Sequence, residues 1–291
     1  MTGAALGLDF RDMTAADLEQ GLALSRSAGW NQTREDWRLL LSLGPGLFRV
    51  AVRGHEIVAS GGAACYGGAL AWICMILVAP AERGRGLGTR IFDDVLERVR
   101  RLAGEGKVRS VGLDATPAGR GLYLQRGFVD GPALVRLRVE PGEATSRSNG
   151  TAPLAAAELD RVLEQDRSIF GADRGVVLRA LAASAPELAQ AVLEGGRVRA
   201  YCFGRHGDHA DQLGPVVGES ADPALVLVKS ALAAPRRRPL VLDARADPRW
   251  LAALAELGFR EARPLTRMYL GPARPPALPE LERAILGPEF G

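Results

Sequence analysis

Apolar residues in the first 80 positions follow the pattern of short β-strands. Three β-rich runs, Phe48–Arg53, Glu56–Tyr66 and Ala69–Val78, are separated by Gly54-His55 and Gly67-Gly68. Short glycine-containing breaks between such runs are typical of hairpin turns. The pattern therefore predicts a meander of antiparallel strands.

Helices are predicted on both sides of this meander. Thr14 with Asp17, and Thr33 with Asp36, have the spacing of a capping box, so we expect helices to begin there. After the meander, apolar residues recur at helical spacing over Leu87–Leu102. The other predicted elements are a strand at Leu8–Met13, a strand at Val108–Asp114, a helix that ends before Gly127 and a strand at Ala133–Val139.

The second half of the chain contains a diverged copy of the first. Ser110–Val139 aligns with Leu240–Leu270, since each has a strand ending in Leu-Asp-Ala, a helix, Gly-Phe and a strand. Such an ordered match indicates a tandem duplication. Because Glu140–Pro153 is poor in large apolar residues, we predict a first domain over 1–142, a linker over 143–152 and a second domain over 153–291. Each domain is expected to be α/β, of the α+β type, with a mixed, mostly antiparallel sheet flanked by helices.

Composition is that of an ordinary globular protein. The 291 residues are 47% hydrophobic and 24% charged, with a net charge of +3, which argues against disorder and against a nucleic-acid-coating surface. The longest apolar stretch, Ala69–Ala81, is shorter than the roughly 20 residues that cross a bilayer. No export signal is recognised at the N-terminus, and the three cysteines have no paired spacing. We therefore expect a cytoplasmic protein with no membrane partner.

The segment VAPAERGRGLGTR, Val78–Arg90, carries the most informative chemistry. It leaves a strand, contains three glycines and opens a helix, which is the arrangement of an anion-binding loop. A phosphate-binding P-loop would need a lysine after Gly88, and the glycine spacing does not fit a dinucleotide fingerprint. A plain glycine turn between strand and helix is the alternative.

The pattern Arg83-x-x-Gly86-x-Gly88 resembles the pyrophosphate loop of the GNAT superfamily of N-acetyltransferases, and RGLYLQRGF is similar to a second motif of that family. The resemblance covers most of Leu8–Val139. It implies that the loop cradles coenzyme A and that the pantetheine arm runs beside the preceding strand. The cofactor-binding residues it implies are Ile76, Leu77, Val78, Arg83, Gly84, Arg85, Gly86, Leu87, Gly88 and Thr89.

The same resemblance implies how the transfer proceeds. Backbone N–H groups of Met75–Val78 would stabilise the oxyanion, and Tyr123 would protonate the leaving thiolate. Tyr123 could instead be a packing residue, and the equivalent position of the second copy is Leu254. The strand before the loop contains no acid, so the base is open: Asp114, Asp166, Asp173 or a water chain.

The acceptor is expected between the first two helices, where AGWNQTREDW places Trp30, Asn31 and Gln32. Trp37 is at helical spacing with Leu40 and Leu41 and is better explained as a core residue. The segment DRSIFGADR resembles part of a bacterial group of tandem GNAT proteins, in which a degenerate second half closes over the acceptor cleft. Asp166 and Asp173 could then recognise an amine, or their arginine neighbours could simply hold the loop.

These features predict an acetyl-CoA-dependent N-acetyltransferase that acts on the amine of a small metabolite, as a monomer or homodimer. The alternatives are an acyl-CoA sensor without catalysis, transfer of a longer acyl group, and acetylation of protein lysines. We expect no metal, since His206 and His209 lie in a hairpin turn. We also expect no nucleic-acid partner, because Arg236–Arg238 has no aromatic neighbours.

Overall fold

The structure is a computed structural model that describes residues 7–142, 151–234, 236–271, 273–275 and 277–291. Most of the predicted linker, residues 143–150, lies outside the described residues. The chain divides into two compact units. The first runs to Leu113 and includes Phe290, and the second comprises Asp114–Glu289 and Gly291. The boundaries predicted at 142 and 153 stay a prediction.

The first unit contains a sheet with helices packed against it. Its elements are β1 (Leu8–Asp12), α1 (Leu18–Ser27), α2 (Arg34–Leu43), β2 (Arg49–Arg53), β3 (Glu56–Tyr66), β4 (Leu70–Val78), α3 (Leu87–Gly104) and the start of β5 (Ser110–Ala115).

Strands β1 to β4 form an antiparallel meander, and β5 pairs parallel to β4. Both predicted capping boxes are present, at Thr14 with Asp17 and at Thr33 with Asp36. Helix α3 packs Leu87 against the sheet with Ile91, which is fully buried. The order of elements predicted for this half is therefore confirmed.

The second unit begins with elements that close the first copy. They are α4 (Pro117–Leu124) and β6 (Phe128–Val139). The elements of the second copy follow: β7 (Ala152–Pro153), α5 (Ala156–Phe170), α6 (Gly175–Ser184), β8 (Gln190–Glu194), β9 (Arg197–His206), β10 (Asp211–Gly218), α7 (Ala221–Ala233), β11 (Leu240–Arg245), α8 (Pro248–Glu256), β12 (Arg260–Leu270) and β13 (Glu282–Ile285).

Strand β6 is longer than the sequence pattern predicts, and it pairs within the second copy. It is antiparallel to β11 on one side and to β12 on the other. The registers pair Leu137 with Leu242 and Val129 with Tyr269. The last strand of the first copy is thus part of the same sheet as the strands that close the second.

Two ion pairs within this sheet each join a residue of one copy to a residue of the other. Arg136 on β6 donates to both carboxylate oxygens of Asp243, at 2.8 and 2.7 Å. Arg267 on β12 donates to both oxygens of Asp114, at 3.0 and 2.9 Å. Asp114 and Asp243 are the aligned residues of the two Leu-Asp-Ala segments, so each copy supplies the arginine for the other copy's aspartate.

Candidate active site

The glycine loop of the first unit is an open turn at the start of α3. Gly84 and Gly86 have φ angles of +76° and +78°, a region that side chains with a Cβ rarely adopt. A Cβ atom at either position would meet nothing within 4 Å. Gly88 lies close to β4, since a Cβ there would be 3.4 Å from Val78. The loop therefore presents backbone to open space.

Helix α3 begins in a way that favours an anion. Gly86 is its N-cap and provides no capping side chain, and the first turn contains no acidic residue. The N–H groups of Leu87, Gly88 and Thr89 have no partner within the helix, because the first four amides of an α-helix lack one. These amides and the helix dipole together form the positive end expected of a diphosphate site.

The arginines of the loop, Arg83 and Arg85, are exposed, and each donates a hydrogen bond to a neighbouring group. Arg83 donates from Nε to the Val78 carbonyl at 3.2 Å, which fixes the loop to the end of β4. Arg85 and Arg53 both donate to Glu82 Oε2, at 3.1 and 2.9 Å. Glu82 is buried, and its carboxylate joins Arg85 of the loop to Arg53 of β2.

Strand β4 contains an irregularity at the position where the oxyanion stabiliser is predicted. Met75 has a φ of +57° and is, among the described residues, the one non-glycine residue with a positive φ. The register of β4 with β3 shifts at this point, between Ser60 and Gly62, and Ser60 Oγ donates to the Met75 carbonyl at 3.0 Å. A bulge turns backbone groups away from the ladder.

The other side of β4 is left open beyond its first three residues. Pairing with β5 covers Leu70–Trp72 and stops there. Among the described residues of this unit, no other strand pairs with the β5-facing side of Ile73–Val78, which we call the open edge. An extended chain with amide groups, such as pantetheine, can bond to an edge of this kind. The predicted contacts Ile76, Leu77 and Val78 lie on it.

Tyr123 belongs to the second unit, on α4. Its hydroxyl lies over the helix at Gly119, where a Cβ would be 3.2 Å from the oxygen. The side chain is half-buried, and burial raises the pKa of Tyr123 to about 12. The phenol therefore stays protonated at neutral pH, as a proton donor must. The equivalent residue of the second copy, Leu254, is fully buried in the core of that unit.

The second copy has lost the features of the coenzyme loop. Helix α7, the counterpart of α3, begins at Ala221 after the N-cap Ser220 and carries Asp222 in its first turn, which would repel an anion. Glu219, the residue before the N-cap, is already paired with Arg199 at 2.7 Å. The aligned loop also lacks the arginines and the glycine spacing of the first copy.

The counterpart of the open edge is filled in the second copy. Strands β10 and β11 pair in parallel over two residues, and β13 then pairs antiparallel with both of them. A Cβ at Gly214 on β10 would be 2.1 Å from the Ile285 carbonyl, so glycine is required for this approach. The chain's own strand thus occupies the position that the first copy leaves open.

The predicted acceptor segment lies between α1 and α2. Trp30 is half-buried, whereas Asn31 and Gln32 are 2% and 4% exposed. Gln32 Oε1 is buried and has no hydrogen-bond partner among the described residues. Trp37 is fully buried and donates from Nε1 to Ser25 at 2.9 Å, which agrees with a core role.

The carboxylates named as possible bases are engaged elsewhere. Asp166 accepts from Arg174 twice at 2.9 Å and from the Tyr201 hydroxyl at 2.7 Å, with 2% of its side chain exposed. This geometry favours the structural alternative for Asp166. Asp173 is exposed and accepts from the Gly175 amide at 2.9 Å, at the start of α6.

Models of the acetyltransferase (GNAT) domain match the chain twice, over residues 44–130 and 162–280. Together the two matches cover more than half of the chain, and they follow the order of the two copies. The chain belongs to the GNAT superfamily. It is a tandem GNAT protein and an acyltransferase.

Known proteins are similar to this tandem GNAT chain in sequence or in fold. Holothin acyltransferase of Pseudoalteromonas sp. (strain SANK 73390) is 28% identical over 218 residues, which are 74% of this chain and 72% of the relative. A protein of Pyrococcus horikoshii assigned as an acetyltransferase has a TM-score of 0.78 at 24% identity, over 100% of this chain and 98% of that one. A tandem GNAT protein from the clavulanic acid biosynthesis pathway has a TM-score of 0.63 at 18% identity, over 92% and 100%.

GNAT-fold proteins use acyl-CoA, which agrees with the anion-binding geometry of the loop. None of the described helices is both long and apolar enough to cross a membrane. In the part of the chain that the structure describes, no group of three metal-ligating side chains is found.

The sequence did not predict Met75 as a bulge residue or Ser60 as its hydrogen-bond partner. The consecutive glycines Gly61 and Gly62 in β3 were the available signal, because glycine inside a strand often marks a bulge.

Proposed function

We propose that this tandem GNAT protein transfers an acetyl group from acetyl-CoA to the amine of a small metabolite by direct attack on the thioester. The observation that carries the proposal is the glycine loop at the start of α3 together with the open edge of β4, the strand that precedes the loop. The two features suit the diphosphate and the pantetheine of one coenzyme. The relatives named for holothin acylation and for clavulanic acid biosynthesis support a small-molecule acceptor.

The chain's own groups would act as follows. Amides of Gly84–Thr89 bind the diphosphate, and the open edge orients the arm. Backbone N–H groups at the Met75 bulge stabilise negative charge on the carbonyl oxygen. Tyr123 supplies the proton that the departing sulfur needs. Acetyl-CoA contributes the activated carbonyl.

We further propose that one coenzyme binds per chain. Helix α7, which replaces α3, carries the acidic residue Asp222 in its first turn, and β13 fills the edge that a second pantetheine would need. Both features act against coenzyme binding in the second copy, one by charge and one by occupancy. On this proposal, the second copy binds no coenzyme.

A calorimetric titration with acetyl-CoA tests the proposal through a matched pair of variants. Asn and Asp both tolerate a positive φ and differ only in charge, and the space around Gly86 is open. We expect wild type to bind one equivalent. Gly86→Asn should weaken binding modestly, and Gly86→Asp should weaken it a further tenfold or more, about 1.4 kcal/mol.

Gly106 provides a control, since it has a φ of +71° in open space after the other end of α3. Gly106→Asp should bind acetyl-CoA as wild type does. Two equivalents per chain would contradict the single site. Equal binding by Gly86→Asp and Gly86→Asn would contradict the anion role of the loop.

A further inference from the structure

The hydrogen bonds that the acidic side chains accept indicate which class of amine the protein acts on. Direct attack requires a neutral amine, and an alkylamine with a pKa of about 10.4 is neutral in only roughly one molecule in 2,500 at pH 7. An enzyme for alkylamines therefore needs a group that removes a proton. In this protein, the carboxylates that sequence reasoning offered for that task hold other bonds.

Asp114 and Asp166 each accept two hydrogen bonds from one arginine side chain. The side chain of Asp114 is 0% exposed, and both of its oxygens accept from Arg267. Burial raises the pKa of Asp114, but the carboxylate has no surface from which to reach an acceptor. Asp166 is held in the same way by Arg174, with Tyr201 as a third donor.

Glu82 and Asp173 also accept hydrogen bonds from neighbouring groups. Glu82 follows β4 and accepts from Arg53 and Arg85. Asp173 accepts the Gly175 amide at the start of α6. Strand β4 itself, LAWICMILV, contains no ionisable side chain apart from the buried Cys74 thiol.

The acceptor segment is uncharged as well. Trp30, Asn31 and Gln32 offer an aromatic ring and two amides, and Gln32 Oε1 is a buried acceptor without a partner among the described residues. An amide oxygen suits the N–H of a neutral group. A buried ammonium ion, in contrast, would need a paired carboxylate, because an unpaired buried charge is costly.

We infer that the acceptor amine is already neutral near pH 7, as an aryl or heteroaryl amine is, so that no general base is needed before attack. This inference rests on the proposed function. In the step, the nitrogen lone pair forms a C–N bond to the thioester carbon and the C–S bond breaks. Sulfur gains one proton and the nitrogen loses one, giving amide and free thiol. The lower nucleophilicity of such an amine is offset by its positioning.

Matched amine pairs test this inference with the full-length protein and acetyl-CoA. The pairs are aniline and benzylamine, 3-aminopyridine and 3-(aminomethyl)pyridine, and 2-aminothiazole and 2-(aminomethyl)thiazole. Each pair differs by one methylene group, which removes the nitrogen from the ring's conjugation. The release of free thiol is measured between about pH 6.5 and 8.5, and kcat/KM is determined for each member.

We expect the directly attached amines to have kcat/KM values at least tenfold higher at pH 7, and to vary less than about threefold across this range. The aminomethyl partners should gain about tenfold per pH unit, because only their neutral fraction reacts. Higher kcat/KM values for the aminomethyl compounds at pH 7, with a plateau above an apparent pKa near 7, would reveal a base and overturn the inference alone. No thiol release with any of the six amines, despite bound acetyl-CoA, would overturn the proposed function together with it.

A variant of Gln32 tests whether the acceptor segment causes the preference for directly attached amines. Gln32→Glu keeps the shape of the side chain and adds a carboxylate that can pair with an ammonium ion. We expect it to reduce the preference for the directly attached amine by tenfold or more, with acetyl-CoA affinity unchanged. An unchanged preference would contradict the role given to Gln32.

Discussion

Replacing Asp243 by Asn tests whether the paired aspartate and arginine residues stabilise the second unit. The Asp243 side chain is 0% exposed and accepts three hydrogen bonds, two from Arg136 and one from Gln212 Nε2 at 2.8 Å. An Asn side chain would keep the volume and lose the charge, and its NH2 group would face a donor. Arg136 is only 12% exposed, so its charge would be left largely uncompensated.

Breaking a buried ion pair on one side costs about 3–5 kcal/mol, and we expect Asp243→Asn to lower the free energy of unfolding by that amount. Asp130→Asn is the matched control, because Asp130 pairs with Arg120 at the surface, where the two side chains are 39% and 43% exposed. An exposed pair contributes less than about 1 kcal/mol.

Urea denaturation followed by circular dichroism gives the comparison, with the change in midpoint multiplied by the mean m-value. The double variant Arg136→Met/Asp243→Leu removes both charges and should be less destabilised than Asp243→Asn. If the free energies of unfolding of Asp243→Asn and Asp130→Asn differ by less than about 1 kcal/mol, the buried pair does not stabilise the second unit as expected.

Three further outcomes are expected. Tyr123→Phe should lower kcat at least tenfold with an unchanged Kd for acetyl-CoA by calorimetry, and unchanged turnover would exclude Tyr123 as the acid. The pKa of Asp17 is lowered to about 2, chiefly by hydrogen bonds from Arg11. Asp17 should therefore contribute roughly 2 kcal/mol above about pH 4, lost as the pH falls towards 2, and Asp17→Asn should remove this pH dependence of unfolding. Gly61→Ala should cost about 1–3 kcal/mol in urea melts, since its Cβ would lie 2.5 Å from Ile91; a melt like that of wild type would contradict this packing.

Local signals in the sequence predicted the first unit well. The capping boxes at Thr14 and Thr33, and the turns between the strands, depend on residues three or four positions apart. The start of α3 is equally local, because glycines and the absence of acids in one turn determine it. Elements and loop chemistry of this kind can be read from short windows.

Pairings between distant segments could not be predicted in this way. Strand β13 is four residues long, and nothing in ERAI indicates that it fills the space between β10 and β11. The bonds of Asp166 to Arg174 and Tyr201 depend on burial, which turns a carboxylate in a polar segment into an internal group. The positive φ of Met75 is also set by the shift in register with β3.

The exchange of arginines between the two copies restricts how this protein can change. Asp114 needs Arg267 and Asp243 needs Arg136, so neither repeat contains the full set of partners for its own buried charge. A chimera that joins one repeat to a repeat from another tandem protein should therefore fold only when the incoming repeat supplies both the arginine and the aspartate of these pairs. A substitution of either aspartate or either arginine in one repeat therefore affects a buried ion pair that it shares with the other repeat.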